Sequence, residues 1–334
     1  MSHFFSRLLP KIYQNLRHSS QQFIHLLLPE TCHFCHTLLR DQVSSPMKTE
    51  KITPYPTEHT EKFLQEYRTY TGYHSEFSIQ EAKFPENIPL CQQCMEALRP
   101  QFVQRCPWCG TILREKHFCH EKIEFFDSRN MSYDHVFPLD DYRDMLREAV
   151  LKMKNYRYEA LSHSMGKFYC YYREKELKNL RLDFIIPVPM HGIMKFIRKV
   201  NSADILADIL GNALELPVLH HLVRYNRLTR LQRSLPMAER RKNVAGCFSI
   251  RYPFPTNLFP NMQKRENEIF RKIFKNRRAL IVDDVLTTGA TCGEISRILK
   301  EELGLSFIAV AVLAKARGEI PDSPPENDVS LTSP

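Results

Sequence analysis

The sequence predicts an α/β protein: a parallel sheet with helices on both faces, preceded by a small cysteine-rich module. Three observations carry this. First, Ala279-Leu280-Ile281-Val282 reads as a strand covered on both faces, because such a strand loses its polar alternation; it leads through Asp283 and Asp284 and a Thr/Gly turn into a helical pattern from Cys292 to Leu303. Second, Asp183-Phe-Ile-Ile-Pro-Val-Pro189 and Phe307 to Ala314 supply two more strand-sized apolar runs. Third, three C-x-x-C pairs fall in the first third of the chain.

Length and composition set the frame. A chain of 334 residues with 43% hydrophobic content has room for two domains, or for one with large insertions. A net charge of +9 and a pI of 9.0 suit phosphate-rich partners, whether a sugar phosphate or a nucleic acid, without choosing between them. No run approaches the roughly 20 apolar residues of a membrane-spanning helix, so no transmembrane segment is expected. The N-terminus (Phe4, Phe5, Leu8, Leu9 and Ile12 with Arg7 and Lys11) is amphipathic and basic, is interrupted by Pro10, and lacks a secretory core and cleavage site. It is expected to pack on its own domain, with a membrane surface as the alternative. Ten cysteines in close pairs, without an export signal, point to a reducing compartment and to metal rather than disulfides.

In chain order, residues 1–30 form this amphipathic segment and residues 31–125 a zinc-ribbon module. Two thiolates on one tight turn take adjacent corners of a zinc tetrahedron. Cys32, Cys35, Cys91 and Cys94 are paired in one site; Cys106, Cys109 and Cys119, with His120 or His117 as nitrogen ligand, form the second. Closed sites of this kind are structural, so one or two Zn2+ ions would supply folding energy rather than chemistry. A polar insertion, 37–89, separates the first two pairs and is expected to be partly disordered.

The α/β domain is expected over 130–316. After a short strand at Val136-Phe137, residues to Lys178 read as helical, with Met145, Leu146, Ala149, Val150 and Met153 on one apolar face. Lys152, Lys154 and Arg157 near that helix's end read by default as a solvated face. A helix from Ala203 to Leu214, a strand through Leu216, Val218 and Leu219, and a basic segment with Arg224, Arg227, Arg230, Arg233, Arg240 and Arg241 follow. Arginine is the natural bidentate partner of phosphate oxygens, although such a run is usually only solvated. An exposed insertion, 253–277, with a short helix near Glu266 to Lys275, precedes the central strand, and 317–334 is a tail expected to lack fixed structure.

The chemistry concentrates after that strand. A strand-to-helix turn with glycine at its bend lets backbone N–H groups converge, and the helix N-terminus adds partial positive charge, so a phosphate is held together with threonine hydroxyls. Paired acids suit vicinal sugar hydroxyls and the hard, part-hydrated shell of magnesium. The bland alternative is that Asp284 ends a strand and Thr288 or Thr291 caps a helix. A Walker-type loop is disfavoured further, since Ala290 stands where its lysine would be.

From Asp283 to Thr291 the sequence resembles the phosphoribosyl pyrophosphate (PRPP) motif of type I phosphoribosyltransferases. The resemblance implies that Asp283 and Asp284 hold the ribose hydroxyls and that Val285, Leu286, Thr287, Thr288, Gly289, Ala290 and Thr291 cradle the 5′-phosphate. It implies too that the turn at Pro189, Met190 and His191, with Arg198, Arg224 and Arg240, meets the pyrophosphate, with Mg2+ accompanying PRPP. Asp283, Asp284 and Arg198 would be the catalytic set. The wider pattern is cysteine knuckles, Pro-Val-Pro-Met-His191, Arg198 with Asn201, Arg224, Thr229, Gln232, Leu235, Arg240, Asn243-Val-Ala-Gly-Cys-Phe248 and the acid loop; it is similar to the ComF/GntX family. That resemblance implies a type I phosphoribosyltransferase-like fold after a zinc ribbon. It also implies a link to competence, with single-stranded DNA and the proteins of the DNA-uptake machinery as partners, in the cytoplasm or peripherally at the inner face of the membrane. Lys154 falls where relatives carry a lysine before an aromatic, which makes it a phosphate-contact candidate. Three departures stand out: Arg198-Lys-Val-Asn-Ser202 replaces the usual Arg-Gly-Phe-Asn-Gln, His117-Phe-Cys119-His120 replaces a cysteine pair, and 253–277 is longer than usual. The acceptor of a phosphoribosyl group, and whether transfer is retained, are left open by the sequence.

Overall fold

The computed structural model describes residues 30–39, 88–101, 103–113, 133–190, 194, 198–226, 244–252 and 260–316, with 260–266 as backbone alone. Its centre is a four-stranded, wholly parallel sheet in the order β1-β6-β5-β2, formed by His135–Asp141 (β1), Phe184–Pro187 (β2), Arg278–Leu286 (β5) and Phe307–Lys315 (β6). All nine residues of β6 are buried, as its position between two strands and under helices on both faces requires. The predicted α/β class with a parallel sheet is therefore borne out.

Helices cover both faces. Around β1 and β2 pack α2 (Asp144–Met153), α3 (Glu159–Lys178) and α4 (Ser202–Leu214), after a one-turn helix α1 (Gln92–Ala97) in the cysteine module. On the other face lie α6 (Ala290–Leu303), the end of α5 (Pro260–Phe274) and a two-stranded antiparallel ribbon of β3 (Val223–Tyr225) and β4 (Phe248–Ile250). Helices α3 and α4 approach closely because Gly166 has no side chain: a Cβ there would lie 2.4 Å from Ile209 Cδ1.

Several element boundaries differ from those expected. The central strand does not end on its two acids: β5 continues to Leu286, because β6 runs alongside it and pairs Asp283 with Val312, Val285 with Ala314 and Leu286 with Lys315. The short strand expected at Val136-Phe137 runs over seven residues, and the single helical stretch expected after it, up to Lys178, is α2, a 3-10 turn at Tyr156–Tyr158 and α3. The strand expected around Val218 is one parallel bridge to Ile185. Helix α5 is longer than the short helix expected near Glu266.

The cysteine module packs on this layer through two turns of the same construction. In the first, the Cys32 amide donates to the Thr37 carbonyl and the His36 amide to the Cys32 carbonyl, each at 2.8 Å; in the second, Cys106 donates to Thr111 and Gly110 to Cys106, also at 2.8 Å. The fifth residue of each has positive φ, His36 at 65° and Gly110 at 72°, and an antiparallel bridge closes each base, Thr31 to Leu38 and Arg105 to Ile112. The first turn sits against α3, where His33 Nδ1 is 2.7 Å from Ser164 Oγ, and against α2, where Lys152 lies 4.2 Å from the centre of the Phe34 ring. The second sits on β1, whose Val136 amide donates to the Pro107 carbonyl at 2.7 Å, while Arg105 bonds both Asp140 and Asp141. Cys32, Phe34, Leu90 and Cys94 share one apolar cluster with Phe137, Leu146 and Phe168. The amphipathic segment, the 37–89 insertion beyond its ends, most of the arginine-rich segment and the C-terminal tail lie outside the described residues. Among the described residues no helix is long and apolar enough to cross a membrane.

Candidate functional site

All four parallel strands end at one edge of the sheet, the usual place for a ligand crevice in an open α/β fold. A cleft of about 440 Å3 opens there, lined by Asp283 to Thr287, Gly289 to Cys292, Tyr142, Arg147, Leu151, Lys154 and Ala316. One wall is the turn from β5 into α6. The other is a stripe of α2 and the residue that follows it: Arg147, Leu151 and Lys154 recur at helical spacing, beside the face that buries Leu146, Ala149, Val150 and Met153 in the core.

The two acids differ in environment. Asp284 is held by the Lys154 ammonium at 3.2 Å and by the Ser202 hydroxyl, which donates at 3.3 Å. Asp283 accepts the Asp284 amide at 2.8 Å. Its side chain opens in part on the cleft, yet burial, followed by the neighbouring Asp284 charge, pushes its carboxyl up to about 8. The Tyr225 phenol on β3 is pushed up by burial and then by the charge of Asp283, which places the β3–β4 ribbon within electrostatic reach of the acids.

The turn is built for tight passage. Gly289 caps α6 in the left-handed region, φ 73°, and a Cβ on it would lie 2.4 Å from the Tyr133 hydroxyl oxygen. Glycine satisfies both demands. Thr288 is buried and its hydroxyl accepts the Ala290 amide at 3.3 Å. Among the described residues the backbone amides of Thr288 and Gly289 donate to no acceptor. Lys315, also buried, donates from Nζ to the Thr287 carbonyl at 2.7 Å and to the Ala316 carbonyl at 2.9 Å.

The remaining residues expected from the sequence distribute as follows. Val285, Leu286, Thr287, Ala290 and Thr291 line the cleft with the acids. Pro189 and Met190 are half-buried beyond β2, and Arg198 is half-buried before α4; none of the three lines the cleft. Asn201 of the same segment donates from Nδ2 to the Val188 carbonyl at 3.2 Å, tying it to the turn after β2. Arg224 is exposed on β3 and bonds Ser249 across the ribbon at 3.2 Å. His191 and Arg240 lie outside the described residues. Lys154, read by default as solvated, is in the cleft wall, and Tyr142, Arg147, Leu151 and Ala316 were not singled out at all. A search for a second helical stripe beside the apolar face of α2 would have found Arg147 and Leu151.

A second candidate centre is the cysteine cluster. One sulfur from each of Cys32, Cys35, Cys91 and Cys94 lies within 4.8 Å of the others, and Cys35 and Cys91 sulfurs are 3.6 Å apart. The Cys91 sulfur also accepts the Cys94 amide at 3.4 Å, so the start of α1 presets two of the four. Four converging thiols are the donor set of a closed zinc site. Cys106 and Cys109 hold the second turn, but Cys119 and His120 lie outside the described residues.

No family model matches the chain. It is 28% identical over 230 residues to competence protein F of Haemophilus influenzae, covering 68% of this chain and 90% of that protein. It is 23% identical over 214 residues to DNA utilization protein YhgH of Shigella flexneri and of Escherichia coli, covering 63% of this chain and 83% of theirs. A solved hypothetical protein from Neisseria gonorrhoeae with bound ppGpp matches at 17% identity and a TM-score of 0.24, covering 52% of this chain and 76% of that one. The resemblance to the ComF/GntX family read from the motifs is borne out by the competence and DNA-utilization relatives.

Proposed function

We propose that this relative of competence protein F and the YhgH proteins binds PRPP or a closely similar sugar phosphate with magnesium, in the service of DNA uptake. One observation carries the reading: two adjacent carboxylates and a turn whose Gly289 amide has no acceptor among the described residues line the same cleft at the carboxyl edge of a parallel sheet. The names of the relatives support a role in competence or DNA utilization.

The division of labour follows from the chemistry. The Asp283 and Asp284 carboxylates accept from vicinal hydroxyls, and the turn from Thr287 to Thr291 donates to the 5′-phosphate. The two carboxylates also suit Mg2+, a hard ion that takes few protein ligands and keeps water; bound there it would neutralise ligand charge. Lys154, now on Asp284, stands where a ligand anion could draw it away. Arg147, whose guanidinium makes no ion pair among the described residues, adds a second cation to that wall. If transfer occurs, departure of pyrophosphate leaves oxocarbenium character at C1, and the protein contributes positioning and charge neutralisation; Arg198, Arg224, Arg240 and the turn at Pro189, Met190 and His191 are the groups proposed for the pyrophosphate. Zinc on the four cysteines would be structural.

A second reading, favoured by the charge of +9 and by the relatives' names, is a DNA-handling module that keeps the sugar-phosphate site without transfer. The test is calorimetric titration of zinc-loaded protein with PRPP and magnesium, beside single-stranded DNA at two salt concentrations. The reading expects PRPP binding that Asp283→Asn with Asp284→Asn removes while folding is unchanged. Binding undiminished in that double variant would overturn it. Silence toward PRPP with salt-sensitive DNA binding would favour the second reading.

A further inference from the structure

We infer that Lys315 is a positioning residue for the anion-binding turn: it holds the Thr287 carbonyl and so turns the Thr288 amide to the opposite side of the peptide, between Thr287 and Gly289, which both line the cleft. The inference rests on the sugar-phosphate reading and names what orients that site.

The argument begins with the peptide bond. In a planar trans peptide the carbonyl and the following N–H point in opposite directions. The Thr287 carbonyl points at the buried Lys315 Nζ, 2.7 Å away, so the Thr288 N–H of the same peptide points away from Lys315. Neither Thr288 nor Gly289 gives its amide to an acceptor among the described residues, although both are buried. Buried backbone donors are nearly always paired, so two successive unpaired ones beside a cleft mark the place of a ligand oxygen. If the peptide turned over, the carbonyl of Thr287 would face the ligand and repel an anion.

Lys315 is itself fixed from outside the turn. It is the last residue of β6, pairs in register with Leu286 on one side and Asp141 on the other, and its second donor goes to the Ala316 carbonyl. Asp141 is anchored by Arg105 at 2.7 Å, and Arg105 also donates to the Gly110 carbonyl at 3.1 Å. The Cβ position of Gly110 lies 3.7 Å from Lys315 Cδ. The second cysteine turn thus buttresses the lysine that sets the phosphate turn. A buried lysine is rare unless it is paired, and this one is held by the Thr287 and Ala316 carbonyls.

The test uses the full zinc-loaded chain with ribose 5-phosphate, magnesium pyrophosphate and PRPP as separate probes. Lys315→Met is expected to weaken ribose 5-phosphate and PRPP by about tenfold or more, the loss of one donor to an anion, while leaving magnesium pyrophosphate unchanged. Lys315→Arg, which keeps a cation and donors, is expected to recover most of the loss. In the unaltered protein the Thr288 amide should exchange freely with solvent and become protected, with a shifted 15N resonance, when ribose 5-phosphate binds. A Thr288 amide already protected without ligand would overturn the inference, even if the methionine variant does not fold. So would Lys315→Met binding ribose 5-phosphate as the unaltered protein does, or an equal loss for all three probes. Failure of the unaltered protein to bind either PRPP or ribose 5-phosphate would overturn the sugar-phosphate reading itself, and the inference with it.

Discussion

Replacing Gly289 by alanine probes the turn at its tightest point, and the structure separates the effect into two parts. The first is conformational: a residue with a Cβ at φ 73° costs roughly 1–2 kcal/mol relative to glycine. The second is steric: the new Cβ would meet the Tyr133 hydroxyl at 2.4 Å, and Tyr133 is buried, so the strain is of the overpacking kind, roughly 1–3 kcal/mol. Gly289→Ala is therefore expected to lower stability by about 2–5 kcal/mol in urea denaturation. Tyr133→Phe removes the offending oxygen and leaves Cζ at 3.4 Å, an ordinary contact. In that background the glycine replacement should retain only the conformational part, a coupling of about 1–3 kcal/mol between the two sites. PRPP titration of the double variant separates fold from function, since relief of the clash with the left-handed backbone kept should restore affinity toward that of the unaltered protein. A coupling below about 0.5 kcal/mol would refute the steric argument.

Other expectations follow from the same geometry. The Asp283 carboxyl, raised to about 8 from 3.8, favours the folded state in its neutral form; that contribution is complete below the unfolded value and is lost as pH rises through about 8. Magnesium-dependent PRPP binding needs the carboxylate, so it should tighten as pH rises through that range with uptake of a proton by the buffer, and Asp283→Asn should abolish the proton release seen by calorimetry in two buffers. Arg147→Gln, at an exposed position on the cleft wall, should leave stability within about 0.5 kcal/mol while weakening PRPP binding measurably; unaltered affinity would remove Arg147 from the site. Breaking the half-buried Lys154–Asp284 pair with Lys154→Met should cost stability on the order of 1 kcal/mol, read by denaturant titration. Cys94→Ser, or metal removal by a chelator, should reduce hydrogen-exchange protection in α3 around Ala160 to Ser164, where His33 docks; protection that persists would mean the turn is held by packing alone.

What was legible in the sequence was what lies in one continuous segment or in fixed spacing. Asp283 to Thr291 could be read as a phosphate turn because strand, acids, glycine and helix follow one another without a break. Cys32, Cys35, Cys91 and Cys94 could be grouped across a long insertion because a C-x-x-C turn offers two ligands and needs two more. The opposite wall of the cleft could not be read in the same way. Arg147 and Leu151 look like solvated positions of an amphipathic helix until tertiary structure lays α2 across the strand ends. Lys315 looks like the polar end of an apolar strand, and its partner Thr287 is brought to it only by sheet pairing. The three-residue strands β3 and β4 are too short to leave a periodic signal. The extension of β5 past its acids likewise depends on the length of β6, which is a property of the pair.

The order of the strands has a consequence for how the chain comes to be assembled. Among the described strands β1 pairs only with β6, and β6 is made more than half the chain length later. As the polypeptide emerges from synthesis, the first strand has helices to pack on but no strand to pair with until Phe307 to Lys315 has arrived. The edge of β1 is an unpaired, apolar template during that interval, the circumstance in which wrong strand pairing and aggregation arise. Arrival of the last strand closes the sheet, seats Lys315 under Thr287 and completes the cleft in one event, so a chain shortened before Phe307 forfeits the site together with the fold.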